Sequence, residues 1–361
     1  MGRTTFLTTI VEELRSHVVD IFLLLCLASF GLFLLLSINS GLFIQQLLYL
    51  VGAFIVMILV SLFDTSLLLW LAPFAYGAGI VLLLAAYIGP VIRGARRWIL
   101  LGPTQLQTSE LAKPLFLLAY AWLMARLPPK TFRNVVIHVL IFFIPFLLIF
   151  KQPDLGTSVV YAASWLAMMV AGGFPIRSLL FFVLVGGIFL PVLWGRLHDY
   201  QQARILTFLN PALDPKGAGY NAVQSMIAVG SGQLVGRGLG RGTQSHLRFL
   251  PEFHTDFIFA TLVEELGLLG GVLLLIVYAL ILFRILAPLL RGIVDHIVPF
   301  VYSVGLCFML LTQVFIHAGM NMGIIPITGI TLPFVSYGGS SLLSIAISFG
   351  FLWVLQRLRT P

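Results

Sequence analysis

VVDIFLLLCLASFGLFLLLSI, residues Val18 to Ile38, decides the architecture. A single acid, Asp20, interrupts an apolar run of about twenty residues, the length that crosses a bilayer as a helix. The run is too long for the core of a signal peptide and is expected to stay in place as a first span. Nine further runs of the same kind follow, at 43–63, 67–88, 110–126, 135–150, 156–172, 178–194, 257–283, 293–320 and 332–354. The chain has 361 residues, of which 60% are hydrophobic and only 9% charged, far below the roughly 25% charged of a soluble domain. In lipid every backbone polar group must be satisfied within the protein, and no closed β pattern is visible, so the spans are read as helices. The expected fold is an all-α polytopic membrane protein, a bundle of ten transmembrane helices forming one domain over 1–361. Two long polar segments remain, 89–109 and 195–255, the second a large loop between the seventh and eighth spans.

The net charge of +8 would point to nucleic acid in a soluble chain. In a membrane protein it points instead to topology and an anionic substrate, and no nucleic-acid partner is expected. Cys26 and Cys307 both lie in apolar runs, with neither disulfide nor metal-site spacing. With the N-terminus placed in the cytoplasm, ten cations lie inside: Arg3, Arg15, Arg126, Lys130, Arg133, Arg177, Arg284, Arg291, Arg357 and Arg359. Four lie outside, Arg93, Arg96, Arg97 and Lys151, once the long loop is set aside, because long loops translocate with little regard to charge. Both termini are therefore expected to be cytoplasmic. The four cations on the far side run against the rule, and an anionic headgroup is the natural partner for them.

The unusual polar stretches fall on that outer side. Arg93-Gly94-Ala95-Arg96-Arg97-Trp98 precedes Gln107-Thr108-Ser109-Glu110, where Ser109 reads as a helix start and Glu110 as an acid in its first turn. Glu110 and Lys113 are spaced i,i+3 and can pair on one helix face. The pair can be a packing salt bridge, or Lys113 can be a cation tuned for a phosphate. In Lys151-Gln152-Pro153-Asp154, Pro153 and Asp154 suit a helix start, while Lys151 and Gln152 are expected to face the same outer cavity. The long loop holds His198, Asp199, Arg204 and a glycine-rich run from Gly236 to Gly242 with Arg237 and Arg241 interleaved. No strand precedes that run, which excludes a nucleotide fold, but close approach of its backbone to a phosphate is allowed. Asn221 to Val229 has the spacing of a re-entrant or interfacial helix. Ser336-Tyr337-Gly338-Gly339-Ser340-Ser341 reads either as small residues permitting close packing or as a broken helix lining a cavity.

Arg248-Phe-Leu-Pro-Glu-Phe-His-Thr-Asp256 ends at the mouth of the eighth span. An acid there is costly unless paired or used, so Asp256 either stabilises the helix end or carries chemistry. Glu264 and Glu265, about 12 Å and 14 Å further along the helix, are rotated off the Asp256 face and are expected to be structural or partner-facing.

Taken together, Arg96-Arg97-Trp98, Gln107 to Lys113, Lys151 to Thr157, Pro251 to Ala260 and Pro333 to Ser341 resemble the SEDS family of bacterial cell-wall proteins. Within the family, His198-Asp199-Tyr200-Gln201 and Gly242-Thr243-Gln244-Ser245 are more similar to RodA, the elongation member, than to FtsW, the division member. The resemblance implies a ten-span peptidoglycan glycosyltransferase that polymerises lipid II, beside a class B penicillin-binding transpeptidase, in the bacterial inner membrane. It places the family's essential acid at Asp256 and its charged pair at Glu110 and Lys113. Asp256 is expected to be the base for the acceptor 4-hydroxyl, with Arg204, Lys113, Glu110, Arg97, Lys151, Gln152 and Ser336 as the substrate-binding set. The leaving undecaprenyl diphosphate needs cationic neutralisation, from arginines or from a divalent cation, Mg or Mn. No protein metal site is expected, and spacing alone does not separate Asp256 as base from Asp256 as metal ligand. The rival classes are a lipid II flippase and a scaffold for the transpeptidase. Against the flippase stand the missing internal repeat and the absence of a matching polar set on the cytoplasmic side. A scaffold leaves Asp256 and Lys113 without a purpose.

Overall fold

The structure, a computed structural model, describes residues 6–92, 95–102, 104–178, 184, 187, 194–195, 199–214, 217–247, 249–292 and 296–358. Arg93, His198 and most of the span expected at 178–194 lie outside them, as does Arg248.

An apolar-patterned helix α1 (Phe6–Ser16) leads into α2 (Val18–Ile38), whose bounds are those read from the sequence. Asn39 then ends α2 and starts α3 (Ser40–Ser61), its side chain accepting from the Gly41 and Leu42 amides; such caps satisfy helix-end donors that would otherwise be orphaned. Asp64 does the same for α4 (Thr65–Ile88). The 89–109 segment contains a short antiparallel hairpin, β1 (Trp98–Leu101) and β2 (Thr104–Gln107), with Trp98 opposite Gln107. It runs directly into α5 (Thr108–Arg126). Helices α6 (Phe132–Lys151) and α7 (Leu155–Ala171) follow. The long loop carries α8 (Asp199–Leu209), α9 (Ala218–Ser231) and a single turn α10 (Thr243–His246). The last three helices are α11 (Ile258–Leu290), α12 (Ile297–Asn321) and α13 (Gly339–Gln356).

This is an all-α polytopic membrane fold. Seven helices among the described residues are long and apolar enough to cross a membrane: α2, α3, α4, α6, α11, α12 and α13. Helix α7 is shorter, at 17 residues, and α5 carries the Glu110–Lys113 pair. The expected tenth span at 332–354 is corrected at its start: residues 322–338 are an irregular segment and the helix begins at Gly339. Burial separates axis from rim. Of its apolar window, 83% is buried in α13 against 22% in α3 and in α6, so α13 is central while α3 and α6 turn most of their surface to lipid. Helix α13 packs on α3 and α5, and α12 on α5, α7 and α11.

Helix α11 is not one continuous helix. Gly267, at φ 73° and ψ −173°, breaks it, and the glycine-rich loop closes the gap. The Leu268 and Leu269 amides donate to the Gln233 and Leu234 carbonyls, while the Arg237 and Gly238 amides donate to the Glu264 and Glu265 carbonyls. Without that loop the break would leave these groups unpaired at membrane depth, at several kcal/mol each.

Candidate active site

Asp256 sits in the turn residues that precede α11, partly exposed, with its amide donating to the Glu252 carbonyl. The N-cap of α11 is Phe257, which has no side-chain cap bond, so the Asp256 carboxylate stands one residue outside the cap position. Its Oδ2 points at Gly329, where an added Cβ would lie 3.3 Å away on a backbone at φ +71°. The irregular 322–338 segment thus brings a bare glycine to the carboxylate.

The backbone around Asp256 is bonded from three directions. Asn321, fully buried at the end of α12, donates from Nδ2 to the Asp256 carbonyl (3.0 Å) and accepts at Oδ1 from the Ala260 amide (3.1 Å). The Ser336 hydroxyl donates to the Thr255 carbonyl (2.7 Å) and accepts from the Leu332 amide (2.8 Å). The Tyr337 amide donates to the His254 carbonyl at 2.9 Å, and the two rings meet edge to face. Gln46 of α3 donates to the Ser336 carbonyl and accepts from the Gly338 amide. Burial, with Tyr49 adjacent, pushes the Tyr337 phenol up to about 12, so it stays neutral and donates to Gln45 Oε1 at 2.6 Å.

Arg204 lies on α8 in a cavity of about 410 Å³, with Phe208, Met226, Met320 and Ile327 among its walls. Met320 adjoins Asn321, and Ile327 packs on the small cluster that contains Phe257. Arg204 therefore opens at the same end of the bundle as Asp256, in a largely apolar groove.

Arg97, before β1, approaches Asp154 Oδ2 at 3.5 Å, and its Nε is buried without a partner. Asp154 does more than cap α7. Oδ1 accepts from the Thr157 amide, while Oδ2 accepts from Gln107 Nε2 (3.0 Å) and Ser109 Oγ (3.2 Å). One buried carboxylate thus ties Arg97, the hairpin end, α5 and α7 together. Ser340 of α13 links the same corner to its own helix by accepting from the Gln107 amide at 2.9 Å.

Lys113 Nζ donates to Glu110 Oε1 at 2.6 Å, both side chains buried within the bundle. Lys113 lines a small cavity walled by Phe116, Tyr120, Tyr161 and Trp165, separate from the groove of Arg204. The ion-pair reading of this couple is the one the geometry carries. Lys151 is exposed at the end of α6. Gln152 differs from expectation: it is buried and donates to the Leu83 carbonyl of α4 at 2.9 Å, so it pins α6 to α4 and does not face the outer cavity. Ser336 likewise is a buried clamp on the Asp256 turn. The glycine-rich loop is also corrected, since the Arg237, Gly238 and Gly240 amides bond Glu264 and Glu265 and are not available to a phosphate. Glu264 and Glu265 are structural, as their orientation implied. Glu264 accepts from the Gln244 amide and Thr243, and Glu265 from His246.

Among the described residues no three of His, Cys, Asp and Glu come together as a cation's ligand set.

Asn321 and Asp154 were missed as site supports. Asn321 ends a long apolar run and Asp154 is fully explained by capping; nothing local to either marks its distant partners.

The chain matches the FtsW/RodA/SpoVE cell cycle protein family over residues 18–360. It is 43% identical to the peptidoglycan glycosyltransferase MrdB of Escherichia coli (strain K12) over 291 residues, 80% of this chain and 78% of that one. It is 40% identical to the stage V sporulation protein E of Bacillus subtilis (strain 168) over 289 residues, 77% of this chain and 76% of that one. Among solved structures, a chain of a peptidoglycan synthase complex that coordinates polymerization and crosslinking superposes with TM-score 0.81 at 30% identity, over 93% of this chain and 96% of that one. The rod shape determining protein RodA of Thermus thermophilus superposes with TM-score 0.71 at 29% identity, over 94% and 96%. A fold shared over nearly its full length, together with a family match from the first span to the last helix, makes this chain a member of the FtsW/RodA/SpoVE, or SEDS, family.

Proposed function

We propose that the chain is a peptidoglycan glycosyltransferase that polymerises lipid II into glycan strands during cell elongation and shape maintenance. It works in the bacterial inner membrane beside a class B penicillin-binding transpeptidase, with both termini cytoplasmic and Asp256 on the outer face. The observation that carries the catalytic assignment is the setting of Asp256. The backbone of its turn is clamped by Asn321, Ser336 and Tyr337, while the residue stays partly exposed with its carboxylate beside Gly329 of the facing segment. Fixed backbone with an accessible carboxylate is what a general base needs.

In the proposed step Asp256 takes the proton of the acceptor 4-hydroxyl. That oxygen attacks the donor's anomeric carbon, and the bond from this carbon to the undecaprenyl diphosphate breaks, its electron pair leaving with the diphosphate. Arg204, at the mouth of an apolar groove, is placed to meet the diphosphate while a polyprenyl chain lies along Phe208 and Met226. Arg97, oriented by Asp154, and exposed Lys151 supply further positive charge. The buried Glu110–Lys113 pair acts indirectly by holding α5.

Asp256→Asn protein, folded and still bound to its partner, should lose at least about 100-fold in lipid II polymerisation; wild-type turnover would remove the base assignment. The alternative is a flippase. It gains one observation, because a charged set built from Glu13, His17, Asp20, Arg284 and Arg357 does lie at the opposite end. Between the two ends the bundle is filled by Leu24, Leu27, Ile345, Phe349 and Leu352, all buried, which favours the enzyme. Reconstituted protein should therefore polymerise labelled lipid II on one side of a vesicle without first moving it across.

A further inference from the structure

At the end of the bundle opposite Asp256 lies a cavity between the α1–α2 junction, the last turns of α11 and the end of α13. Four of its lining residues, Arg284, Ala287, Pro288 and Arg291, recur at i, i+3, i+4 and i+7, which places them on one stripe of α11. Two guanidinium groups thus stand about 10 Å apart along the helix axis, with a small and a rigid apolar residue between them.

The acids of this region are already committed. Asp20 Oδ1 accepts from Arg284 Nε at 2.7 Å, and Oδ2 lies 3.4 Å from His17 Nδ1. Glu13 is held by Arg357 at 2.8 Å and lies 3.6 Å from His17 Nε2. The His17 ring is fixed by stacking on Trp353, with centroids 4.3 Å apart. Of the charged groups on the cavity wall, those that stay uncommitted among the described residues are cationic. The terminal amines of Arg284 have no partner, and Arg291 is exposed with no side-chain bond. Gln356 adds an amide to the wall.

The cavity is at the depth where charged headgroups lie. Asp20 is in the first turn of α2 and Arg291 caps α11, so both mark the boundary of the apolar spans. The sequence of α1 places Phe6, Leu7, Ile10, Val11 and Leu14 at helical spacing, the pattern of a helix lying along a membrane surface. Basic pockets between spans at this depth suit anionic headgroups, and guanidinium forks match phosphate oxygens.

We propose that this cavity binds a phosphate group, from an anionic phospholipid headgroup or a soluble phosphoester, with Arg284 and Arg291 as its donors. The site is independent of Asp256 and of glycosyl transfer. Full-length protein in nanodiscs of phosphatidylcholine with and without phosphatidylglycerol would be released and its retained lipids counted by native mass spectrometry. A parallel arm would follow thermal unfolding of detergent-purified protein with millimolar inorganic phosphate. Wild-type and Asp256→Asn protein should retain phosphatidylglycerol equally, and Arg291→Gln, which alters an exposed side chain only, should weaken retention about 10-fold. Arg291→Glu should abolish it. Stabilisation by inorganic phosphate, lost in both Arg291 variants and without selective lipid retention, would support a soluble phosphoester as the occupant. Equal lipid retention and equal response to phosphate in the wild type and both Arg291 variants would overturn the proposal.

Discussion

At the scale of single residues, the site depends on side chains whose partners lie far away in sequence. Asn321 is the strongest case. Its amide group spans the Asp256 carbonyl, the Ala260 amide and the carbonyl of His317, and Ser225 of α9 donates to its own carbonyl. Asn321→Leu keeps the volume but leaves buried donors and acceptors unpaired, at about 1–3 kcal/mol each. The variant should melt several degrees lower yet still purify with its partner, and its polymerisation rate should fall at least about 10-fold. A rate equal to wild type in the folded variant would show that Asp256 does not need this clamp. Asp256 stands out in the sequence because an acid at the mouth of a membrane helix is anomalous in one dimension, although position alone leaves open a helix-end role and a chemical one. Asn321, Gln46 and Gln152 do not stand out, because a polar residue inside an apolar run says that a partner exists and not where it is.

At the scale of elements, the apolar runs announced the helices, and α2 was read to the residue. Caps at Asn39 and Asp64 then set boundaries within two or three residues of those expected for α3 and α4. The break in α11 was not read, since 257–283 is apolar throughout apart from Glu264 and Glu265 and a hydrophobic run carries no sign of a backbone turn. The nearby glycine-rich loop was misjudged for a related reason. Glycines reveal that backbone comes close to something, and here that something is another backbone. An added Cβ at Gly267 would lie 2.3 Å from the Gly236 amide and 2.4 Å from the Leu234 carbonyl, on a left-handed φ. Gly267→Ala therefore combines strain of about 1–3 kcal/mol with an unavoidable clash. It should cost about 3 kcal/mol or more, read as loss of the monodisperse species on size exclusion or a sharply lowered melting temperature. Leu268→Ala, at an exposed neighbour, should leave both unchanged.

At the scale of the whole molecule, the all-α membrane fold class followed from composition. Which of the motif residues meet in space did not, because membrane helices can be arranged around one another in many ways with the same hydropathy. The orientation proposed above is open to a direct check. Lys151 and Arg133 are exposed at opposite ends of α6. Lys151→Cys should react with a membrane-impermeant maleimide on intact spheroplasts, and Arg133→Cys only after permeabilisation. The reverse pattern would invert the topology. Native background should be low, as Cys307 is buried and Cys26 partly so.

The closure of the gap in α11 by residues 233–238 also dictates an order of assembly. Helix α11 is apolar over nearly its whole length, yet within the helix the stretch Ile258 to Leu266 is joined to the remainder through Gly267 alone. That stretch becomes rigid when the preceding loop has folded back and its amides have found the Glu264 and Glu265 carbonyls. Membrane insertion and completion of the Asp256 turn are therefore separate events in the life of the chain. A newly made molecule caught between them is fully inserted, correctly oriented and inert.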